Sequence, residues 1–413
     1  MVDRGVTPTA AGREVAPPTR RPPWWAVVLL VYAASRVVTT LLFLWVGTQA
    51  SPESRAGPHP TLLGLATAWD GAWYRYIAAT GYPSALPLDS TGEVTTNQWA
   101  FLPVYPYLVK LLTFGVLPWD LVAVVVSALA GGAAALLLAL LLLPRLGESK
   151  AVFASAVLAF SPLAFVLQMA YAEALGLALL LGALVLIDRR RWLAALAPTI
   201  ALAYTRPGVL ALALAVGLAL AVRAVRARRG GPPLPVAELG RGAVLAGVAA
   251  AAGTSWSAIA AAATGRPDAY FATEGAWRAL WMPHADIVLF QPWAFAADFW
   301  TSRFLGAAAA PIAGPALLVV LIGGFAALLL SRPARRLGLV VVLWCASYAL
   351  YLLAVFFPQS SVFRLLMPMA PLAGVLTPAG RPARAAVLLA CTALQALWLW
   401  VVLGPLQQYW TVL

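Results

Sequence analysis

The sequence predicts an all-α, polytopic membrane protein, and three observations predict it. Of its 413 residues, 62% are hydrophobic and only 10% are charged, whereas a soluble domain carries about 25% charged residues. Apolar runs recur from Trp24 onward, each near the length that crosses a bilayer. None shows the short apolar–polar alternation of a barrel, so a backbone that must satisfy itself in lipid makes them helices.

The runs fall at roughly residues 24–46, 119–143, 151–168, 171–187, 192–205, 207–222, 240–262, 303–330, 337–357, 363–379 and 385–403, about eleven crossings. Residues 1–23, rich in Pro, Arg and small side chains, read as a disordered cytoplasmic tail. Nothing marks the first run as a cleaved signal. Residues 24–413 then form one integral-membrane domain.

The net charge of +13 sits in short arginine clusters between the runs, a pattern of membrane orientation and not of nucleic-acid binding. Arg20 and Arg21, Arg145 and Lys150, Arg189 to Arg191, Arg223 to Arg229, Arg332 to Arg336, and Arg381 with Arg384 all fall on one side. Placing them in the cytoplasm requires that residues 101–115 do not span. Pro103, Pro106 and Lys110 make that segment an interfacial or broken helix. Cys345 and Cys391 lie within apolar runs and read as packing residues.

This orientation makes the loops 47–118 and 263–302 external, with short helices lying on the membrane surface. It also gathers the unusual polar residues on the outer face. Asp70, Arg75, Glu93, Asn97 and Gln98 occupy the first loop. Tyr171 and Glu173 occupy one outer turn and Arg206 another. Asp268, Glu274, Arg278, His284 and Asp286 share the second loop, and Arg364 opens a late helix. Together they describe one outer polar cavity.

Asp70 opens a segment in which Trp73, Tyr76 and Ile77 share a helical face. It reads either as a helix cap or as a carboxylate that takes a proton or holds a cation. Glu173, between two apolar helices, costs energy unless it is paired or hydrated. It is a turn residue or part of the site. Arg206 and Arg364 are isolated cations near outer helix ends, where they snorkel or bind phosphate, with Arg75 a lesser candidate for phosphate. The run FLPVYP, which contains Tyr105, is an interfacial anchor or a contact for lipid or sugar. His, Cys and carboxylate spacings match no zinc site, and no Gly-rich phosphate loop is present.

Three stretches taken in order carry a resemblance: WDGAWYRYIAATGYP from Trp69, NQWAFLPVYP from Asn97 and FSPLAFVLQMAYAEALG from Phe160. They resemble the PIG-V-like mannosyltransferases, a family of GT-C-class membrane enzymes, in its bacterial branch. TRPG at Thr205 resembles a family turn with Pro207 inserted, and SVFRLLMPMAP at Ser361 resembles a late Arg-containing segment. The resemblance implies transfer of mannose from a polyprenyl-phosphate carrier to an acceptor outside the cytoplasm. The acceptor would be a glycolipid, lipoglycan or glycoprotein, and the protein would sit in the cell membrane.

The expected chemistry is a single displacement. Asp70 is the base, with Glu173 second; Arg206, Arg364 and Arg75 hold the donor phosphate; Trp69, Glu93, Tyr105, Tyr171 and Glu274 line the substrate. Cationic side chains can stabilise a leaving phosphate without a general acid, so a divalent cation is optional, with Asp70 as its candidate ligand. The alternatives are a secondary transporter, which would place paired broken helices around a midplane site, and a polyprenyl-lipid-binding protein or flippase without catalysis.

Overall fold

The computed structural model describes residues 22–52, 54, 57–280, 288–356 and 358–405. His284, Asp286 and residues 1–21 of the expected tail lie outside the described residues. Among the described residues the chain is helical, with one isolated bridge between Leu88 and Val94 in the first loop.

In chain order the helices are α1 (Trp24–Thr48), α2 (Leu62–Ala66), α3 (Asp70–Thr80), α4 (Val104–Leu112), α5 (Trp119–Leu146), α6 (Glu148–Phe160), α7 (Ala172–Asp188) and α8 (Leu196–Ala203). They continue with α9 (Val209–Arg228), α10 (Val236–Thr264), α11 (Ala269–Ala279), α12 (Gln291–Leu305), α13 (Ala310–Leu330), α14 (Arg332–Arg335), α15 (Leu339–Val355), α16 (Val362–Leu365) and α17 (Arg381–Leu403). Among the described residues, α1, α5, α9, α10, α13 and α17 are long and apolar enough to cross a membrane. The fold is thus all-α and polytopic.

Several of the expected spans are not single continuous α-helices. Residues 151–168 divide at Ser161–Pro162 into the end of α6 and a 3-10 turn, Ala164–Gln168. Pro162 has no N–H to continue the helical ladder. The run 192–205 contains only the eight residues of α8. The run 303–330 is α13 preceded by a separate helix, α12, and the two are parted at Gly306. Pro368 and Pro371 turn residues 363–379 into one turn of α-helix followed by 3-10 structure. By contrast, residues 101–115 hold only the nine-residue α4. At about 1.5 Å per residue it is far too short to cross.

The bundle has two chemically distinct ends. At one end Arg145 of α5 pairs with Asp188 of α7, and Arg223 of α9 pairs with Glu238 of α10 through a second contact of 3.0 Å. Arg384 of α17 donates to Ser149 Oγ of α6 at 2.8 Å. These are the arginines that the sequence assigns to one compartment. At the other end α7 and α9 begin, α8 ends, and the turn Tyr204–Gly208 meets the start of α4 through Val104 N to Tyr204 O at 2.9 Å.

The core is built on close helix approach, as bundles in lipid require. Gly131 and Gly132 of α5 accept the Tyr32 ring of α1, and a Cβ at Gly131 would stand 2.2 Å from the Tyr32 hydroxyl. α7 runs between α5 and α15, with Leu177, Leu181 and Leu184 buried. Arg36 lies near the middle of α1. It donates to Ala164 O at 2.7 Å and Ala159 O at 3.0 Å, and its guanidinium carbon stands 4.9 Å from the Tyr32 ring centroid. A guanidinium at a helix centre in lipid costs about 2.5–3.5 kcal/mol on insertion scales. Carbonyl groups freed at the broken α6 offset that cost, because charged hydrogen bonds are worth about 1.5–3 kcal/mol each.

Candidate functional site

Asp70 is the first residue of α3, and Trp69 holds the cap position without a side-chain cap bond. The helix-cap reading of Asp70 is therefore replaced by an ion pair. Asp70 Oδ2 accepts from Arg364 Nη1 at 2.5 Å. The same nitrogen stands 3.1 Å from Glu173 Oε1, and that oxygen lies 3.3 Å from Arg206 Nη2. The four charges form one chain: Asp70, Arg364, Glu173, Arg206. The side chains are nearly closed to solvent, with exposures of 19% for Asp70, 10% for Arg364, 5% for Glu173 and 20% for Arg206.

Each member arrives from a different element for a local reason. Trp69 takes φ +62° and ψ −119°, a conformation a non-glycine residue adopts at a cost of about 1–3 kcal/mol. That turn aims the start of α3 at the cluster. Glu173 lies in the first turn of α7, at the positive end of the helix dipole. Gly176 makes room for Arg206, since a Cβ there would come 2.8 Å from Arg206 Cγ. Gly208, at φ +113°, closes the Arg206–Pro207 turn against Tyr348. Arg364 sits on the single turn α16, its guanidinium 5.1 Å above the Tyr171 ring.

The cluster holds both arginines charged. Asp70 and Glu173 both stand within ion-pair distance of the Arg364 guanidinium and offset the cost of burying its charge. Arg206 is likewise held up against burial, chiefly by Glu173. Tyr74, one turn after Asp70, is fully buried, and burial raises its pKa, with Arg206 opposing the rise. Glu274 on α11 is half-buried. Burial raises its pKa, while Arg278 and Arg206 oppose the rise.

Beneath the cluster is a narrow cleft. Glu173, Arg206 and Arg364 form its polar mouth. Leu177, Leu180, Leu202, Val209, Trp344 and Met367 carry its walls down between α7, α9 and α15.

The sequence-predicted residues divide accordingly. Asp70, Glu173, Arg206 and Arg364 come together, and Tyr171 packs beneath Arg364. Trp69 is beside them by sequence, and Glu274 lies half-buried on α11 in the second loop. Three residues stand elsewhere. Arg75 is 58% exposed and pairs with Asp120 at 3.2 Å. Glu93 is exposed in a turn whose backbone Asp89 organises by accepting from Thr91 N and Glu93 N. Tyr105 is fully buried, and its hydroxyl is within 3.0 Å of Ala123 O and 2.8 Å of Ser127 Oγ, so it packs the core instead of meeting a substrate. The expected face of α3 also changes: Gly71, Tyr74, Ile77 and Ala78 are buried, and Tyr76 is exposed.

Two residues went unnoticed in the sequence. Tyr74 was hidden by the choice of helical face. Arg36 was hidden inside an apolar run, although a charge at the middle of a span is itself a signal. Among the described residues no group of three or more His, Cys, Asp or Glu is placed to hold a metal ion. The carboxylates of Asp70 and Glu173 instead share the Arg364 nitrogen.

No family model matches the chain, and no curated protein matches it. Among solved structures it is similar to the Archaeoglobus fulgidus oligosaccharyltransferase crystallised in complex with Zn and sulfate, at 17% identity and a TM-score of 0.34. The match covers 90% of this chain and 53% of that one, so this chain spans about half of its length.

Proposed function

We propose that this protein is a membrane glycosyltransferase of the GT-C class that takes its sugar from a polyprenyl-phosphate carrier and resembles the bacterial PIG-V-like mannosyltransferases. The observation that carries the reading is the cleft: a charged mouth containing Glu173, Arg206 and Arg364, continued by an apolar wall between helices. Its polarity matches a lipid phosphate, with an anion at one end and an alkyl chain at the other. The full path would have about eleven crossings, with the broken segments completing the six long helices and the charged mouth facing outward.

In this reading the polyprenyl chain lies along Leu177, Leu180 and Met367, and the phosphate reaches Arg206. Arg364 is already shared by two carboxylates, so its main part is to fix Asp70. The acceptor hydroxyl gives its proton to the Asp70 carboxylate as its oxygen attacks the anomeric carbon. The bond from that carbon to the phosphate oxygen breaks, and polyprenyl phosphate leaves with the electron pair, stabilised by Arg206. One displacement inverts the anomeric configuration. Glu274 and the half-buried rings of Trp73 and Trp277, whose centroids stand 5.3 Å apart, bound the acceptor side. Mannose is the proposed sugar, and the acceptor is an extracytoplasmic glycolipid, lipoglycan or glycoprotein. A divalent cation is optional, with Asp70 its candidate ligand.

The test uses detergent-purified protein, radiolabelled polyprenyl-phosphate mannose and extracted cell-envelope acceptors, with the glucose and galactose donors alongside. Label passing to an acceptor with release of polyprenyl phosphate is the expected result. Failure to transfer from all three donors would overturn the reading, and transfer from a different sugar alone would overturn the mannose assignment.

A further inference from the structure

Arg36 touches none of the site charges, yet it holds the segment that packs under the start of Asp70's helix and leads into Glu173. α6 stops at Phe160, and the chain crosses Ser161–Pro162 into the 3-10 turn Ala164–Gln168 before α7 begins. A helix end leaves carbonyls without partners, and here Arg36 takes one from each side of the break, Ala159 O at 3.0 Å and Ala164 O at 2.7 Å. One turn along α1, Thr40 Oγ1 accepts from Gln168 Nε2 at 2.7 Å. Two contacts along one face of α1 thus grip both ends of the 3-10 turn.

The 3-10 turn leads directly into the site. Ala170 N donates to Ala66 O at 2.8 Å, fixing α2 four residues before Asp70. Ala170 also lies under the first turn of α3, where a Cβ on Gly71 would meet Ala170 Cβ at 3.4 Å and Ala170 O at 3.5 Å. Tyr171 O accepts from Ser127 Oγ at 3.2 Å, and its ring lies under Arg364. Glu173 comes two residues later. The strap therefore meets Asp70 through Gly71 and carries Glu173 on its own continuation.

We propose that Arg36 is a positioning residue, which through the strap 161–171 sets the separation of Asp70 and Glu173 across Arg364. A guanidinium suits this task because its planar fork can reach carbonyls on both sides of the break at once, which an ammonium point charge does less well. The effect on sugar transfer rests on the glycosyltransferase reading; the mechanical link does not.

The experiment compares wild-type full-length protein in detergent with Arg36→Met, Arg36→Lys and Gln168→Leu. It measures amide hydrogen exchange, binding of polyprenyl-phosphate mannose and turnover of that donor. In Arg36→Met, exchange is expected to rise at least about tenfold in peptides covering residues 164–174 and 70–74, relative to α9 and α10. Turnover is expected to fall at least about 30-fold with the donor dissociation constant changed by less than about threefold. Arg36→Lys should recover part of both, and Gln168→Leu should show a weaker form of the same pattern. If Arg36→Met does not fold, Arg36→Lys and Gln168→Leu decide by the same local exchange. Exchange that rises evenly through the bundle, or stays unchanged in the strap, would overturn the proposal. So would local loosening with full turnover. A wild-type protein that turns over no donor would sink the glycosyltransferase reading, and the exchange pattern would still judge the strap.

Discussion

Arg364 Nη1 stands 2.5 Å from Asp70 Oδ2, joining residues 294 positions apart in the chain. The same nitrogen reaches Glu173 Oε1 at 3.1 Å. One cation thus separates two nearly buried carboxylates, and Arg206 closes the charge balance from the far side of Glu173. Such a network is costly to desolvate and still more costly to break, since removing one partner strands another.

Removing Arg364 should therefore destabilise the fold as well as the site. Arg364→Met leaves two carboxylates facing each other, with an expected loss of about 3–5 kcal/mol. Arg364→Lys keeps a charge but not the fork, and should fall between Met and wild type. Denaturant or thermal unfolding in detergent measures this. A Met variant as stable as wild type would mean that the network contributes nothing to folding.

Arg206 should act mainly on the donor. Its guanidinium lines the cleft mouth and is 20% exposed, where Glu173 is 5% exposed. Arg206→Gln is expected to weaken binding of a polyprenyl-phosphate analogue by about tenfold or more, one charged hydrogen bond's worth. Glu173→Gln should instead alter turnover, because it loosens both arginines. A double-mutant cycle should give a coupling of about 0.5–3 kcal/mol for residues in contact. Equal donor affinity in Arg206→Gln and wild type would remove the phosphate from this position.

The site's charges were legible because so few charges occur in so apolar a chain. Asp70, Glu173, Arg206 and Arg364 stood out one by one, as isolated charges near helix ends do. Their pairing was not legible, since nothing local links residue 70 to residue 364. The periodic reading of α3 chose Trp73 and Tyr76, but the helix begins at Asp70 and turns Tyr74 inward above the small Gly71. Short helices were hard to find for a related reason. Pro162, Pro368 and Pro371 lie inside apolar runs, and hydropathy alone does not register the ladder bond each one removes.

Glu274 predicts a pH dependence outside the membrane spans. Burial holds its carboxyl above the ordinary value of 4.5, against the pull of Arg278. The folded state therefore holds this proton more tightly than the unfolded chain does. The resulting stability is complete below the ordinary carboxylate value and is lost as pH rises through the folded value. Thermal midpoints should fall on going from about pH 4 to about pH 7 by more in wild type than in Glu274→Gln. Parallel pH profiles for the two proteins would show that Glu274 is solvated.

Orientation is open to a labelling test. In a Cys345→Ala, Cys391→Ser background, a cysteine at the exposed Ser90 should react with an impermeant maleimide in intact cells. One at Arg229, at the arginine-rich end, should react only after permeabilisation. The arginine distribution points this way, and the pairs Arg145–Asp188 and Arg223–Glu238 tie those helix ends to one side. The reverse pattern would turn the protein over and put the charged cleft in the cytoplasm.

Asp70 carries the most direct prediction. Arg364 engages its Oδ2 and so fixes the plane of the carboxylate. Oδ1 is the oxygen left to take a proton from an acceptor. Asp70→Asn keeps the shape and one acceptor oxygen toward Arg364 but cannot accept that proton. Turnover should fall on the order of 10²-fold or more, while donor binding, centred on Arg206, changes little. Asp70→Ala should lose stability as well, because it leaves Arg364 with Glu173 alone. The two variants separate chemistry from architecture: if Asn and Ala lose activity in proportion to lost stability, Asp70 is only a strut for Arg364. Near-normal turnover by a folded Asn variant would move the base elsewhere, with Glu173 next. Donor binding that collapses only when divalent cations are chelated, and that Asp70→Asn abolishes, would instead make the carboxylate a metal ligand.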